Sequence, residues 1–303
     1  MPELSRCWRP AYPLDAVTVL SPLRRGRGDP CLRHDDGGRT WVTGNTSEGP
    51  GTLVFRVCGD GTVEARAWGD GAQVLLDGLP DLLGAADDDS GFVAHHDVVA
   101  RARRRLPSLR LTSTGRVWDA LVPAVLEQKV TRYEAHRSWR ELCRWFGAPA
   151  PGPVPEGLRI PPTPAAILSI SDWQWHRAGV DLRRRSTLVA AARVAHRLEE
   201  AVALRGERGR ALLRAVPGVG VWTAAEVAQR AWGDADAVSF SDFHVPSIVG
   251  YALVGRALDD EGLAEVLAPY APQRQRVVRY LQAMGYSRPR FAPRYPVRDY
   301  RAI

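Results

Sequence analysis

Residues 213–242, LRAVPGVGVWTAAEVAQRAWGDADAVSFSD, leave the chain little freedom: a turn of one proline and two glycines joins two helical patterns, and a carboxylate follows twenty-two residues after the second glycine. Ala211, Leu212, Ala215 and Val216 share one helical face, and Pro217 ends that helix because it has no N–H for the ladder. Gly218 and Gly220 then turn the chain. They allow positive φ and carry no Cβ that would keep an anion away from backbone amides. A second helix opens around Thr223. Unpaired N–H groups at a helix start attract an anion, and a contact made by backbone atoms grips a phosphate without reading a base. For PGVG by itself, a plain turn between packed helices is the alternative.

Composition narrows the partners. In 303 residues, 45% of them hydrophobic, no apolar run approaches twenty residues, so a soluble chain of two or three domains with no membrane partner is expected. The opening MPELSRCWRP lacks a signal-peptide stretch, and a cytoplasmic location is expected. Cys7, Cys31, Cys58 and Cys143 form no CxxC pair, which argues against zinc or iron–sulfur chemistry; no cofactor and reduced thiols are expected. The net charge of +7 favours an anionic partner such as nucleic acid. Among 41 basic residues Lys129 is the single lysine. Arginine cannot form a Schiff base, so Lys129 and the N-terminus are the only amines open to that chemistry.

The chain reads as an α+β protein in three parts. Residues 1–106 are mostly strand-like: RTWVT at 39–43, then LVFRV at 53–57 and TVEARAW at 62–68 around the turn Cys58-Gly59-Asp60-Gly61, a hairpin signal. Helical stretches follow at 73–83 and towards Arg105, separated by a loop in which Asp87, Asp88 and Asp89 are expected to be solvated. Residues 107–232 are helical and end in the glycine turn; Val117, Leu121 and Val125, then Trp139, Leu142, Trp145 and Phe146, mark the core. Within them 149–157, PAPGPVPEG, reads as a linker, Thr163 and Ser171 as caps, and Arg183, Arg184, Arg185 and Arg193 as either phosphate contacts or a solvated face. Residues 233–303 are a further helical region whose tail, RFAPRYPVRDYRAI, is expected to pack back over it.

The glycine turn with its following Asp242, the opening WRPAYPLD and the order of elements resemble the helix-hairpin-helix DNA glycosylase superfamily, and within it the bacterial 3-methyladenine DNA glycosylase II type. The resemblance implies mostly helical glycosylase domains behind an N-terminal α/β domain like the TATA-box-binding protein. It implies a monomer acting on double-stranded DNA that contains damaged bases, in base excision repair. By position, the backbone amides of Gly218, Gly220 and Thr223 would bind the DNA strand, and the carbonyls of Arg214, Val216 and Val219 could hold a monovalent cation. Relatives that also cut the strand carry their amine just after the turn. This chain has Trp222 there, so base removal without strand cleavage is expected.

Asp242 is the expected catalytic residue. Breaking an N-glycosidic bond builds positive charge on the sugar, and a fixed carboxylate beside that carbon lowers the barrier and can orient water. Standing before a helix, Asp242 could instead be only a cap. Eversion of the base leaves a gap, and the segment of Gln128 and Lys129 is where the resemblance puts the wedge; relatives have an apolar residue where Lys129 stands, so a phosphate contact or a simply exposed lysine remains open. Trp222, Glu226 and Phe243 fall on the base pocket. Trp222 would face a cationic alkylated purine, of the 3-methyladenine or 7-methylguanine kind, or pack as a core indole. Glu226 replaces an aromatic ring. It could bind an exocyclic amine or pair with an arginine, and with Lys129 it favours a different, bulky or oxidised lesion as the alternative. A non-catalytic module that senses distorted DNA is the other reading.

Overall fold

The computed structural model describes residues 3–287 and residue 299. Its N-terminal body is one antiparallel sheet of β1 (Leu4–Trp8), β2 (Leu32–His34), β3 (Thr40–Thr46), β4 (Gly49–Val57) and β5 (Val63–Gly69), in the order β1-β5-β4-β3-β2. Helices α1 (Ala16–Leu20), α2 (Ala72–Asp77) and α3 (Leu79–Leu82) accompany it. Alternation decides the faces: Val63, Ala65 and Ala67 are buried while Glu64 and Arg66 are exposed. The buried set joins Val42, Leu53 and Phe55 against Leu20, Leu75, Leu76 and Leu79. Each large side chain covered in this way stabilises the fold by roughly 1.5–3 kcal/mol.

The opposite face is covered too, and by an unexpected segment. Trp41 and Trp68 stack there with Val54, and Ala150 and Leu158 pack on them. The proline-rich stretch 149–157 is therefore a packed cover rather than a linker. It takes that part because the two tryptophans leave an apolar surface that must be kept from water.

Helix α4 (Asp97–Arg105) does not belong with the sheet, although the sequence groups it with residues 1–106. Its Val99 and Ala102 share a core with Phe92, Leu109 and the C-terminal helices, Val245, Leu263 and Val277 among them. The aspartate loop before it also departs from expectation. Asp87 is buried and accepts two hydrogen bonds from Arg276, at 2.9 and 2.6 Å, and one from the Leu111 amide at 3.0 Å. Arg276 is fully buried, and a buried guanidinium requires a counter-charge, which draws Asp87 inward. Asp88 caps the Ser90 amide and Asp89 pairs with Arg103, so only the rim of the loop meets water.

The central body contains α5 (Val117–Leu126), α6 (Arg132–Phe146), α7 (Pro164–Leu168), α8 (Asp172–Arg177), α9 (Leu182–Arg193), α10 (Ala195–Leu198), α11 (Ala201–Leu204), α12 (Gly206–Arg214) and α13 (Val221–Ala231). Thr131, Thr163, Ser171 and Asp181 cap α6, α7, α8 and α9 with their side chains. Every residue of α5 except Asp119 is buried, which makes it the axis of this body. Ala224, Ala225, Ala228 and Ala231 give α13 a small-residue face in the same core, and the amides of Thr114 and Gly115 bond the last carbonyls of α13. The two helices thus run antiparallel. Their shared axis places the end of α5 beside the start of α13.

Helices α14 (Val245–Val254), α15 (Asp260–Leu267) and α16 (Arg274–Ala283) close the chain. Most of the basic tail lies outside the described residues; Asp299 within it pairs with Arg137 at 3.3 Å.

Candidate functional site

The turn between α12 and α13 is built as an open cradle. Gly218 has φ +90°, and a Cβ there would stand 2.0 Å from Thr187 Oγ1 on α9, so both conformation and packing demand glycine. Gly220 differs from expectation. Its φ is −91°, an ordinary extended value, and a Cβ on it would meet nothing within 4 Å. What its missing methyl keeps clear is the approach from outside. No side chain caps α13, and among the described residues nothing accepts from the amides of Gly218, Gly220, Val221, Trp222 and Thr223. Exposed glycines with unpaired N–H groups at the positive end of a helix are an arrangement that favours an anion.

Gln128, at the end of α5, stands behind this cradle. Its Nε2 donates to the Gly218 carbonyl at 3.0 Å and to Thr223 Oγ1 at 2.8 Å. Its amide braces the hairpin. Lys129 is exposed and has φ +54°, a left-handed conformation that holds it at the tip of the loop between α5 and α6. Of the three carbonyls carried over for a cation, that of Val216 accepts the Val219 amide at 3.0 Å, while those of Arg214 and Val219 accept nothing among the described residues. Neutral oxygens of this kind suit a monovalent ion.

From the second position of α13, the Trp222 indole N–H donates to Asp242 Oδ2 at 2.9 Å. The other oxygen, Oδ1, accepts the amides of His244 at 2.7 Å and Val245 at 2.9 Å, at the start of α14. Asp242 therefore caps a helix and is held by a tryptophan at the same time. The two amides fill the acceptor sites of Oδ1, whereas Oδ2 keeps a lone pair beside the indole N–H for a water or a sugar carbon, and the α14 dipole favours negative charge at that place.

Below Trp222 on the same helical face lies Glu226. Its carboxylate pairs with Arg230 at 2.8 Å and accepts the Ser239 hydroxyl at 2.5 Å. Of the two parts open to it, the ion pair is the one formed. Gln229 supports Ser239 from the side, donating to its Oγ and to the Ala237 carbonyl, both at 2.8 Å. Arg279 of α16 is buried close by and reaches Ser21 Oγ at 3.2 Å; burial, with Arg230 nearby, brings its pKa down to about 10 against the pull of Glu226. Phe243, expected in a pocket, is 71% exposed and meets His244 edge-on at the rim. Among the four arginines of α9, Arg184 is buried and ties Leu126, Gly179 and Asp181 together, whereas Arg183 and Arg193 face solvent.

Two participants, Asp260 and Arg279, leave little or no signal in the sequence. Ser241 adopts φ +65°, and Asp260 at the start of α15 accepts its amide and its hydroxyl. The only trace in the sequence is a doubled aspartate, Asp259-Asp260, where capping needs one. Arg279 left no trace, because an arginine in a basic chain is unremarked until its burial is known.

No protein-family model matches the chain, and no curated protein matches its sequence. Solved structures do. The 3-methyladenine DNA glycosylase of Archaeoglobus fulgidus superposes with a TM-score of 0.75 at 16% identity, over 91% of this chain and 96% of its own. The 8-oxoguanine glycosylase/lyase of Clostridium acetobutylicum, bound to double-stranded DNA with cytosine opposite 8-oxoguanine, gives 0.71 at 10% identity, over 93% and 94%. This chain has the fold of the helix-hairpin-helix DNA glycosylases. A 3-methyladenine DNA glycosylase of Schizosaccharomyces pombe, in complex with abasic DNA, covers 62% of this chain and 91% of its own length, with a TM-score of 0.51 at 17% identity. The first two coverages include the N-terminal sheet, so the glycosylase fold accounts for all three bodies and not only for the helical ones.

Proposed function

We propose that the protein is a monofunctional DNA glycosylase: it everts a damaged base from duplex DNA, hydrolyses the N-glycosidic bond and leaves an abasic site. The observation that carries this is the placing of Asp242, held from one side by Trp222 and from the other by the first amides of α14, next to a hairpin with unpaired N–H groups. In this reading the hairpin amides grip a phosphate and Asp242 faces the anomeric carbon. As the bond to the base lengthens, positive charge grows on the sugar, and the carboxylate stabilises it while orienting the attacking water. The carbonyls of Arg214, Val216 and Val219 would hold a monovalent cation that offsets phosphate charge. Lys129, the single lysine, fills or flanks the gap left by the base. Trp222, standing where lyase relatives place their amine, supports hydrolysis without strand cleavage.

Alkylated purines are the first substrate reading, supported by an indole beside the carboxylate and by the kind of enzyme that two of the matched structures are. A specific observation favours a second. Glu226, where the resemblance puts an aromatic ring, has its charge offset by Arg230, so the wall below Trp222 offers a cationic base neither a second ring nor a free carboxylate, and a bulky or oxidised lesion is the alternative.

The test is release of free base from a panel of duplexes carrying methylated, oxidised and bulky lesions, with DNA binding measured in parallel. Asp242→Asn should bind DNA normally and lose roughly 10²- to 10⁴-fold in release. Equal behaviour of wild type and variant would indicate a non-catalytic sensor of distorted DNA. Borohydride trapping of the wild type as a covalent adduct that Lys129→Ala abolishes would overturn the monofunctional assignment.

A further inference from the structure

Asp242 points where it does because the residue before it is bent. Ser241 has φ +65°, a conformation that a side-chain-bearing residue rarely adopts and keeps only when its surroundings impose it. The imposing group is Asp260. One of its oxygens accepts the Ser241 amide at 3.0 Å and the other at 2.9 Å, and the second also accepts the Ser241 hydroxyl at 3.1 Å. No helix-capping duty explains this carboxylate. Asp259 already caps α15, accepting the Gly262 amide at 2.9 Å, and Asp260 is turned away from its own helix towards the loop.

The anchor is firm. Leu263 and Leu267 of α15 pack in one core with Val245 and Val249 of α14, so the backbone carrying Asp260 is fixed relative to the helix whose first amides hold Asp242. The loop 239–242 is thus tied at three points: Ser239 to Glu226, Ser241 to Asp260, and Asp242 to Trp222 and α14. Releasing the middle tie lets Ser241 relax to a negative φ. That rotation changes the direction in which the Asp242 side chain leaves the backbone.

We infer that Asp260 is a positioning residue for base release: by clamping Ser241 in the left-handed conformation it sets the aim of the Asp242 carboxylate. It touches neither base nor sugar. The inference rests on the glycosylase reading above, with Asp242 as the reacting carboxylate.

A glycine at 241 adopts positive φ without help, which separates a clamp from a merely stabilising contact. The experiment measures single-turnover base release and DNA affinity for the wild type, Asp260→Ala, Ser241→Gly and the double variant, on a lesion that the wild type excises. Asp260→Ala is expected to lose roughly 10- to 100-fold in release, as misaimed catalytic groups do, with DNA affinity unchanged. In the Ser241→Gly background the same Asp260→Ala change is expected to cost much less. An equal loss in both backgrounds, or no loss in either, overturns the clamp while Asp242→Asn still reports on the glycosylase reading. A wild type that releases no base from any lesion overturns both. If Asp260→Ala does not fold, Asp260→Asn, which keeps one accepting oxygen, carries the same comparison.

Discussion

The Trp222 indole N–H lies 2.9 Å from Asp242 Oδ2 and joins the helix behind the hairpin to the loop that carries the carboxylate. An aromatic residue that could have served only as a platform for a base thus also fixes the group that would react with the sugar. The two duties can be separated, since only one of them needs the N–H.

Trp222→Phe keeps an aromatic face and removes the donor. Hydrogen bonds to charged groups contribute about 1.5–3 kcal/mol, so base release should fall roughly 10- to 150-fold with DNA affinity retained. Single-turnover rates decide it. A variant that releases base at the wild-type rate would show that the indole does not hold Asp242 in the reacting complex.

The two glycines of the turn should respond oppositely to alanine. Gly218→Ala puts a methyl 2.0 Å from Thr187 Oγ1 at φ +90°, and strain with overpacking should destabilise the fold by roughly 1–3 kcal/mol or more, read by urea unfolding. Gly220→Ala meets no atom within 4 Å and should leave stability unchanged. Its methyl would stand in the path of a phosphate approaching the free amides, so it should weaken binding to undamaged and damaged duplex alike. Unchanged affinity for Gly220→Ala would remove the anion cradle from the account.

Gln128→Ala deletes the brace across the hairpin. Two neutral hydrogen bonds are worth about 1–3 kcal/mol together, and their loss should loosen the turn. The expected result is lower DNA affinity and faster exchange of the Val219 and Ala224 amides, which are hydrogen-bonded to Val216 and Gly220 across the turn, with the Lys129→Ala variant showing the affinity loss without the exchange. Wild-type exchange in Gln128→Ala would mean that the turn holds its shape unaided.

His136 offers a pH signature. Burial, reinforced by Arg25, Arg132 and Arg140 and opposed by Glu127, lowers its pKa from 6.5 to about 4. The unfolded chain therefore binds a proton below pH 6.5 that the folded chain refuses until about pH 4. Stability from this group is complete above pH 6.5 and is lost as the pH falls through that window. Partial exposure discounts the size to about 1–2 kcal/mol. Urea unfolding at pH 7 and pH 5 should show a smaller acid loss for His136→Gln than for the wild type; identical losses would clear His136 of any part.

Much of this was legible in the residues. The strand alternation at 53–68, the caps at Thr163 and Ser171, the break at Pro217 and the opening of a helix after Gly220 all depend on neighbours a few positions apart. Asp242 stands out because it follows the hairpin; a carboxylate before a helix is by itself only a cap pattern. Short-range rules do not reach further than that. Phe243 beside Asp242 looked like a pocket residue, but adjacency in the chain does not say which way a side chain faces, and it stands at the rim. Both glycines of the turn allow positive φ, and one positive φ, at Gly218, is enough to make the turn.

The sequence by itself determined where the chain bends, which stretches become strand or helix and which carboxylate follows the hairpin, because those outcomes are set by covalent geometry and by contacts within a turn or two. Only the tertiary structure decided that α4 packs with the C-terminal helices, that Asp87 goes inside to meet Arg276, that Glu226 pairs with Arg230 under Ser239 and that Asp260 reaches back to Ser241. Such partnerships form where buried charges and bent backbone find compensation when separate bodies close on one another. A linear pattern holds no record of which surfaces will meet.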